Sequence, residues 1–166
     1  MMYVSCEVRD SGIFGKGLFA TAPIRKATII CFFPIGAEVI TESQFLEAVK
    51  ENRQPTVRTA TRYAGLYYTC GNEQEPYTYL NHSFEPNLLC HCGVIIARRD
   101  VAAGEEMTLD YRTLIDDTDI GIYRDAVTGR EIRGFSARQT MLRTTREMME
   151  LLESVDESWD GSGNNP

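Results

Sequence analysis

The chain has 166 residues, 43% hydrophobic and 25% charged, the profile of one ordinary globular domain. At this length a core can form without a disulfide or a structural metal. Twenty-four acidic residues against 17 basic ones give a net charge of −7, which argues against a basic face that holds nucleic-acid phosphates.

Tyr3 to Val8 reads as a first strand, broken by Ser11-Gly12 and by Gly15 and Gly17. Ala27 to Phe33 reads as a buried strand stopped by Pro34, and Ala37 to Ile40 as another. Thr41 and Gln44 fit a capping box, which predicts a short helix over 42–51 with Phe45, Leu46 and Val49 inward. Glu47 and Lys50 then face out. Tyr63 to Cys70 has strand composition, and Leu88 to Ala97 reads as two strands hinged at Gly93. Ala103-Gly104 leads into a further strand near Met107 to Asp110. Many short strands with one early helix predict a mostly β domain.

The last fifty residues differ in character. Ile115 to Gly134 is charged, and Thr128-Gly129 marks a loop or hairpin. A C-terminal helix is predicted over 136–153, with Met141, Leu142, Thr145, Met148, Met149 and Leu152 in a single stripe. That stripe packs against its own domain or forms a partner surface, including a homodimer through this helix. The residues from 154 to 166 read as a disordered acidic tail.

The longest apolar run, Ala27 to Ile35, is far too short to span a bilayer. Glu7, Arg9, Asp10 and Lys16 stand where a signal peptide needs apolar residues, so a cytoplasmic protein is expected. Five cysteines, odd in number and irregular in spacing, read as reduced thiols.

Several local patterns carry little chemistry alone. Gly15-Lys16-Gly17-Leu18-Phe19-Ala20 matches the dinucleotide fingerprint, but Pro23 falls inside the helix that fingerprint requires. Asn81-His82-Ser83 is a glycosylation sequon without a secretion signal. In a strand, Cys90 and Cys92 face one side and His91 the other, so Cys90-His91-Cys92 is a poor zinc set and no metal is expected.

Three segments in order say more. Gly15-Lys16-Gly17 is followed by Asn81-His82-Ser83-Phe84-Glu85-Pro86-Asn87, then by Gly104-Glu105-Glu106-Met107-Thr108-Leu109-Asp110-Tyr111. Together they resemble the SET-domain family, with its GxG loop, NHSxxPN and GEELTxDY motifs, over about two-thirds of the chain. The resemblance implies a mostly β SET (β-clip) fold of short sheets with a pseudoknot-like crossing. It divides the chain into a catalytic core over 1–115, a closing segment and helix over 116–153, and the tail.

It also implies S-adenosylmethionine as methyl donor and, as acceptor, a protein lysine. Carried over residue by residue, Lys16, Gly17 and Leu18 would meet the methionine part of the donor through their backbone. Asn81 and His82 would hold the donor, and Tyr111 would place its hydroxyl beside the transferring methyl. Tyr68, Tyr79 and Leu109 would line the acceptor channel. Two other readings stand beside this one: a SET-fold enzyme acting on a small amine, and a non-catalytic SET interaction module. Loss of Tyr111 or of the donor motifs would have favoured the last.

The chain departs from the family pattern at three places. Phe33-Pro34-Ile35-Gly36 stands where Tyr-x-Gly is common, and Tyr63-Ala64-Gly65 comes too late to replace it. Leu109 occupies an aromatic position, which predicts a roomier channel admitting higher methylation states or another acceptor. Ile132-Arg133-Gly134-Phe135 replaces a zinc-binding cysteine cluster, with Phe135 or Tyr123 as the candidate cover for the adenine. Residues 116–166 carry 11 acids and 6 bases, so most of the negative charge lies outside the motifs and would favour a cationic acceptor.

Overall fold

The computed structural model describes residues 2–33, 38–53, 60–70, 75–115 and 123–162. The first sheet starts as a hairpin of β1 (Cys6–Asp10) and β2 (Lys16–Ala20), paired from Cys6↔Ala20 to Asp10↔Lys16. Ser11 closes the connection, its N–H donating to the Gly15 carbonyl at 2.9 Å and its Oγ accepting from the Ile13 N–H at 2.8 Å. Gly15 takes φ +50°, where a side chain is strained. The chain bends from Gly12 to Gly15, and Gly17 does not break the strand that follows. Lys16 to Ala20 is strand.

β3 (Ile29–Phe32), β8 (Leu88–His91) and β9 (Val94–Ala97) form a second sheet in the order β3–β9–β8. The Tyr3 N–H donates to the Ile30 carbonyl, and Met2 bridges to Cys31. The residues before Cys6 therefore serve β3, which is why β1 begins later than composition suggests. The β8–β9 turn is Cys92-Gly93, both at positive φ, the geometry that follows strand twist in a two-residue hairpin. A Cβ at Gly93 would collide with the Tyr63 ring. Alternate residues supply two cores. Leu88, Cys90, Ile95 and Ala97 join Leu18, Ile30, Met107 and Leu109 on one face, while Leu89 and Ile96 join Ala27 and Leu151 on the other.

A third sheet has the order β4–β6–β5, from β4 (Glu38–Thr41), β5 (Ala60–Ala64) and β6 (Tyr67–Cys70). Tyr63 to Cys70 is thus not one strand, because Gly65 at φ +56° turns the chain into a hairpin. The capping box at Thr41 and Gln44 starts α1 (Glu42–Lys50), which buries Phe45 and Ala48 and leaves Leu46 and Val49 half-covered. Phe45 stacks on Tyr68 at 4.7 Å. Pro34 to Ala37, including the start predicted for β4, lie outside the described residues.

β7 (Asn81–His82) and β10 (Glu106–Leu109) complete the first sheet in the order β1–β2–β10–β7. β10 is antiparallel to β2 at Glu106↔Phe19 and Met107↔Leu18, then parallel to β7 at Thr108↔Asn81 and Leu109↔His82. A strand from late in the chain is thereby laid between two earlier ones. β11 (Tyr123–Arg124) and β12 (Glu131–Ile132) form a small hairpin around Thr128-Gly129, while 116–122 lie outside the described residues.

α2 (Ala137–Glu153) is started by a second capping box, Ser136 with Gln139. Its inward face is not the predicted stripe. Thr140, Thr144 and Leu151 are buried, Met141 and Met148 are half-buried, and Leu142, Met149 and Leu152 face out. The reason is polar. Thr144 donates to the Thr140 carbonyl at 2.9 Å, so its oxygen accepts from His91 Nδ1 at 2.9 Å, which turns the threonine edge toward β8.

The segment read as a disordered tail is ordered through Ser162. Trp159 Nε1 donates to the Ala27 carbonyl at 2.8 Å, and the Ile29 N–H donates to the Gly161 carbonyl at 2.9 Å. The indole packs on the second core beside Leu151 and Ile96. Its one tryptophan gives this acidic segment an apolar anchor, which composition averaged over 13 residues conceals; the last four lie outside the described residues.

Candidate functional site

The site grows from the place where β10 changes partner. Its ladder with β2 stops at Leu18, so the backbone of Lys16 and Gly17 runs on beyond it toward the Ser11–Gly15 connection. Asn81 holds that connection. Its Nδ2 lies 3.1 Å from the Phe14 carbonyl, 3.1 Å from the Lys16 carbonyl, 3.2 Å from Ser11 Oγ and 2.7 Å from Glu106 Oε1. Ser11 Oγ also donates to the Glu106 carboxylate at 2.8 Å. A Cβ at Gly17 would collide with that carboxylate, and Ser11 and Asn81 prevent it from moving aside. Gly17 is therefore required by close approach.

The second asparagine of the motif works the same way. Asn87 Oδ1 accepts from the Thr108 N–H at 2.8 Å, and its Nδ2 donates to the Glu106 carbonyl at 2.8 Å. Glu105 is held by Arg99 at 2.7 Å and by the Ala102 N–H, and the arginine drives its carboxyl down to about 2.

Tyr111 follows β10 at the start of a short 3₁₀ helix, Tyr111–Thr113, capped by the Asp110 side chain. Its hydroxyl donates to the Leu80 carbonyl at 2.7 Å, and its N–H donates to His82 Nδ1 at 3.1 Å. Burial first, then the negative charge of Glu106, pushes its phenol up to about 12. It stays protonated at neutral pH. With its proton committed to Leu80, the oxygen offers lone pairs to whatever approaches.

His82 is buried, and burial pushes its imidazole below the usual histidine range. Nδ1 accepts from Tyr111, so in the neutral ring the proton sits on Nε2, which is buried without a partner. Such an atom fits a ligand that supplies an acceptor. The ring meets Phe84 edge-on at 4.6 Å and Tyr111 at 5.4 Å.

Beside these residues stands a ladder of arginines and rings. Arg130 lies 4.2 Å over Phe84, and Arg112 lies 4.9 Å from Phe84 and 5.1 Å from Phe135. Arg143 lies 5.1 Å over the same Phe135 ring. Arg112 is fixed by a two-pronged pair with Asp110, Nε to Oδ1 at 2.8 Å and Nη2 to Oδ2 at 2.6 Å. Phe135 reaches the site through its backbone, its N–H donating to the Arg112 carbonyl at 2.8 Å. Tyr123 is half-exposed on β11.

Of the residues expected at the site, Lys16, Gly17, Leu18, Asn81, His82, Leu109, Tyr111 and Phe135 converge here. Tyr79 packs on the same core as Leu109 and Tyr111. Leu109 is sealed in that core among Leu18, Leu80 and Leu114 rather than set along an open wall. Tyr68 does not join them. It is 1% exposed under Phe45, and its hydroxyl accepts from Arg62 Nη2 at 3.0 Å, because β6 turns it toward α1. Ser11, Glu106, Asp110 and Arg112 were given no role by sequence reading; Glu106 and Asp110 stood inside a quoted motif, while Ser11 and Arg112 carried no spacing signal. Phe33 packs against Tyr77 at 5.9 Å, and its neighbours Pro34 to Gly36 lie outside the described residues. Among the described residues no group of three or more His, Cys, Asp or Glu side chains could hold a metal ion, all five cysteines are free thiols, and no helix is long and apolar enough to cross a membrane.

Comparison with known proteins matches this geometry to a fold. The DIM-5 structure, from the Neurospora SET domain protein described as a histone lysine methyltransferase, aligns with a TM-score of 0.51 at 18% identity. The alignment covers 65% of this chain and 52% of that one, so this chain matches about half of that protein's length. No curated protein sequence matches the chain. The family model for the SET domain matches residues 15–112, a stretch that contains the GxG connection, both asparagines, β10 and Tyr111. The chain belongs to the SET domain family.

Proposed function

We propose that this protein transfers the methyl group of S-adenosylmethionine to an amine, and that the acceptor is a protein lysine side chain. Family membership supports the reaction class, and one observation carries the reading: Tyr111 is half-buried, protonated and fixed between Leu80 and His82, packed on the core that Leu18 shares. The donor supplies a methyl group on a positively charged sulfur. The Lys16–Leu18 backbone would hold its methionine part, and His82 its adenine end, with Phe135 over the ring. The unpartnered His82 Nε2 and the open space beside Gly15 fit such a ligand.

The chain's own residues then have two tasks. An in-line displacement needs the amine and the methyl held at contact distance, so positioning supplies much of the rate. Lysine titrates at about 10.4 in water, so the site must take up the neutral amine. Tyr111 is a poor base for that proton, because its phenol already holds one well above neutral pH. Its oxygen can instead accept an N–H from the amine and so point the nitrogen lone pair at the methyl. Proton loss is left to water before the acceptor seats.

Calorimetry with S-adenosylmethionine tests the donor, and absence of heat at high ligand concentration would defeat the proposal. Labelled donor incubated with the protein and a cell lysate tests the acceptor. Label in protein lysines supports the reading; label confined to small amines replaces the acceptor while keeping the reaction.

A further inference from the structure

α2 has one face that nothing among the described residues covers. Leu142, Met149 and Leu152 are 40%, 56% and 36% exposed, and Thr145 is exposed with them. Steps of three, four and three residues along 142, 145, 149 and 152 are the alternation of a coiled-coil seam. The buried Thr140, Thr144 and Leu151 occupy the opposite side, so this seam is surplus to the helix's own docking.

The charges beside the seam are sorted. Arg138, one step of four back along the seam line, lies in the first turn and Arg146 at mid-helix, while Glu150 and Glu153 lie in the last turn. Arg143 and Glu147 pair with each other at 3.1 Å, and Glu147 also meets Arg98. Among the described residues the other four charges have no ion-pair partner. Their order opposes the helix dipole, which favours acids in the first turn and bases in the last; α2 has neither. A second helix running the other way would relieve that arrangement.

We infer that this face pairs with α2 of a second copy of the chain, antiparallel. In that register Leu142 lies against the partner's Leu152 and Thr145 against the partner's Met149, and symmetry repeats both layers. Arg146 then flanks the partner's Glu150, and Arg138 flanks the partner's Glu153. A parallel pair would instead set each arginine beside its own copy and each glutamate likewise. A 17-residue helix is roughly 25 Å long, and four layers make a small interface, so the dimer is weak and reversible. This assembly is independent of the methyl-transfer reading.

The test is sedimentation of the full chain from low to high micromolar concentration. The apparent mass rises from 18.7 kDa toward twice that value, and added salt lowers it. Arg146→Glu and Glu150→Arg, both on the exposed face, each weaken self-association by ~10-fold or more through like charges. Mixed in equal amounts, the two variants restore the dimer, because each new charge meets its opposite on the other chain. Circular dichroism checks that both variants keep their helix. A wild-type chain that stays monomeric throughout would overturn the inference. So would a dimer that either reversal leaves unchanged, or variants whose mixture stays monomeric.

Discussion

The sheet β1–β2–β10–β7 and the C-terminal region are both held by polar side chains, but by different kinds. In the sheet, short side chains reach backbone close by: Asn81 to Phe14 and Lys16, Asn87 to Thr108 and Glu106, Ser11 to Ile13. An asparagine amide spans only a few ångströms, so its partners must stand in one register. In the C-terminal region, long arginines do the joining. Arg62 on β5, 1% exposed at its side chain, donates to the Phe135 carbonyl at 2.6 Å and to Tyr68 at 3.0 Å, and its N–H donates to the Leu114 carbonyl. Arg112, Arg130 and Arg143 thread between Phe84 and Phe135. Short reach demands fixed spacing in sequence; long reach does not.

The sharpest break of that comparison is Tyr111→Phe. It removes a hydroxyl at the end of the short-reach network while sparing the ring's place in the core. Turnover should fall by ~10²-fold or more, with donor affinity by calorimetry nearly unchanged. Unchanged turnover would take Tyr111 out of the reaction. On the long-reach side, Arg62→Met should lower stability by about 3 kcal/mol in urea unfolding, because Phe135 and Tyr68 lose a buried charged donor. A loss below ~1 kcal/mol would show that the C-terminal region docks without it. Between these, Glu106→Gln keeps the shape above Gly17 but weakens the charged bonds to Ser11 and Asn81. The donor KM should rise ~10-fold with kcat little changed. A fall in kcat alone would place Glu106 at the chemistry instead.

The same contrast explains what could be read from the chain. Asn81, Asn87 and Tyr111 stood in long ungapped motifs because each must meet a fixed backbone register. The capping box of α1 and the turn at Gly93 were legible for the same local reason, although Cys92, read as part of the strand with Cys90, lies in that turn at φ +47°. The orientation of Tyr68 toward Phe45 was not legible, because strand alternation does not say which side faces α1 and which the main core. The inward face of α2 was misread because a threonine bonded to His91 is buried for its oxygen, whereas periodicity counts only apolar side chains. Arg62 left no sequence signal, since its long side chain reaches Phe135 and Thr140 without demanding a fixed pattern of neighbours around it.

The smallest expected effect concerns His82, which belongs to both regions: its ring bonds Tyr111 on one side and packs beside Phe84 of the arginine ladder on the other. Burial lowers its proton affinity below the ordinary value of 6.5. In the unfolded chain the ring takes a proton as pH falls through about 6.5, while the folded chain resists until lower pH. The stabilisation linked to this ring is therefore complete above pH 6.5 and lost as pH falls from there through the folded value. His91, also lowered by burial, adds a change of the same sign. The measurement is thus a difference: urea midpoints of wild type and His82→Asn at pH 7.5 and pH 5. The asparagine has an oxygen to accept the Tyr111 N–H but no titration, so the wild type should lose more stability than the variant on acidification. Equal losses would mean that protonated His82 is tolerated in place. Tyr111 would then be held from its hydroxyl end alone, and the two regions would meet there without coupling.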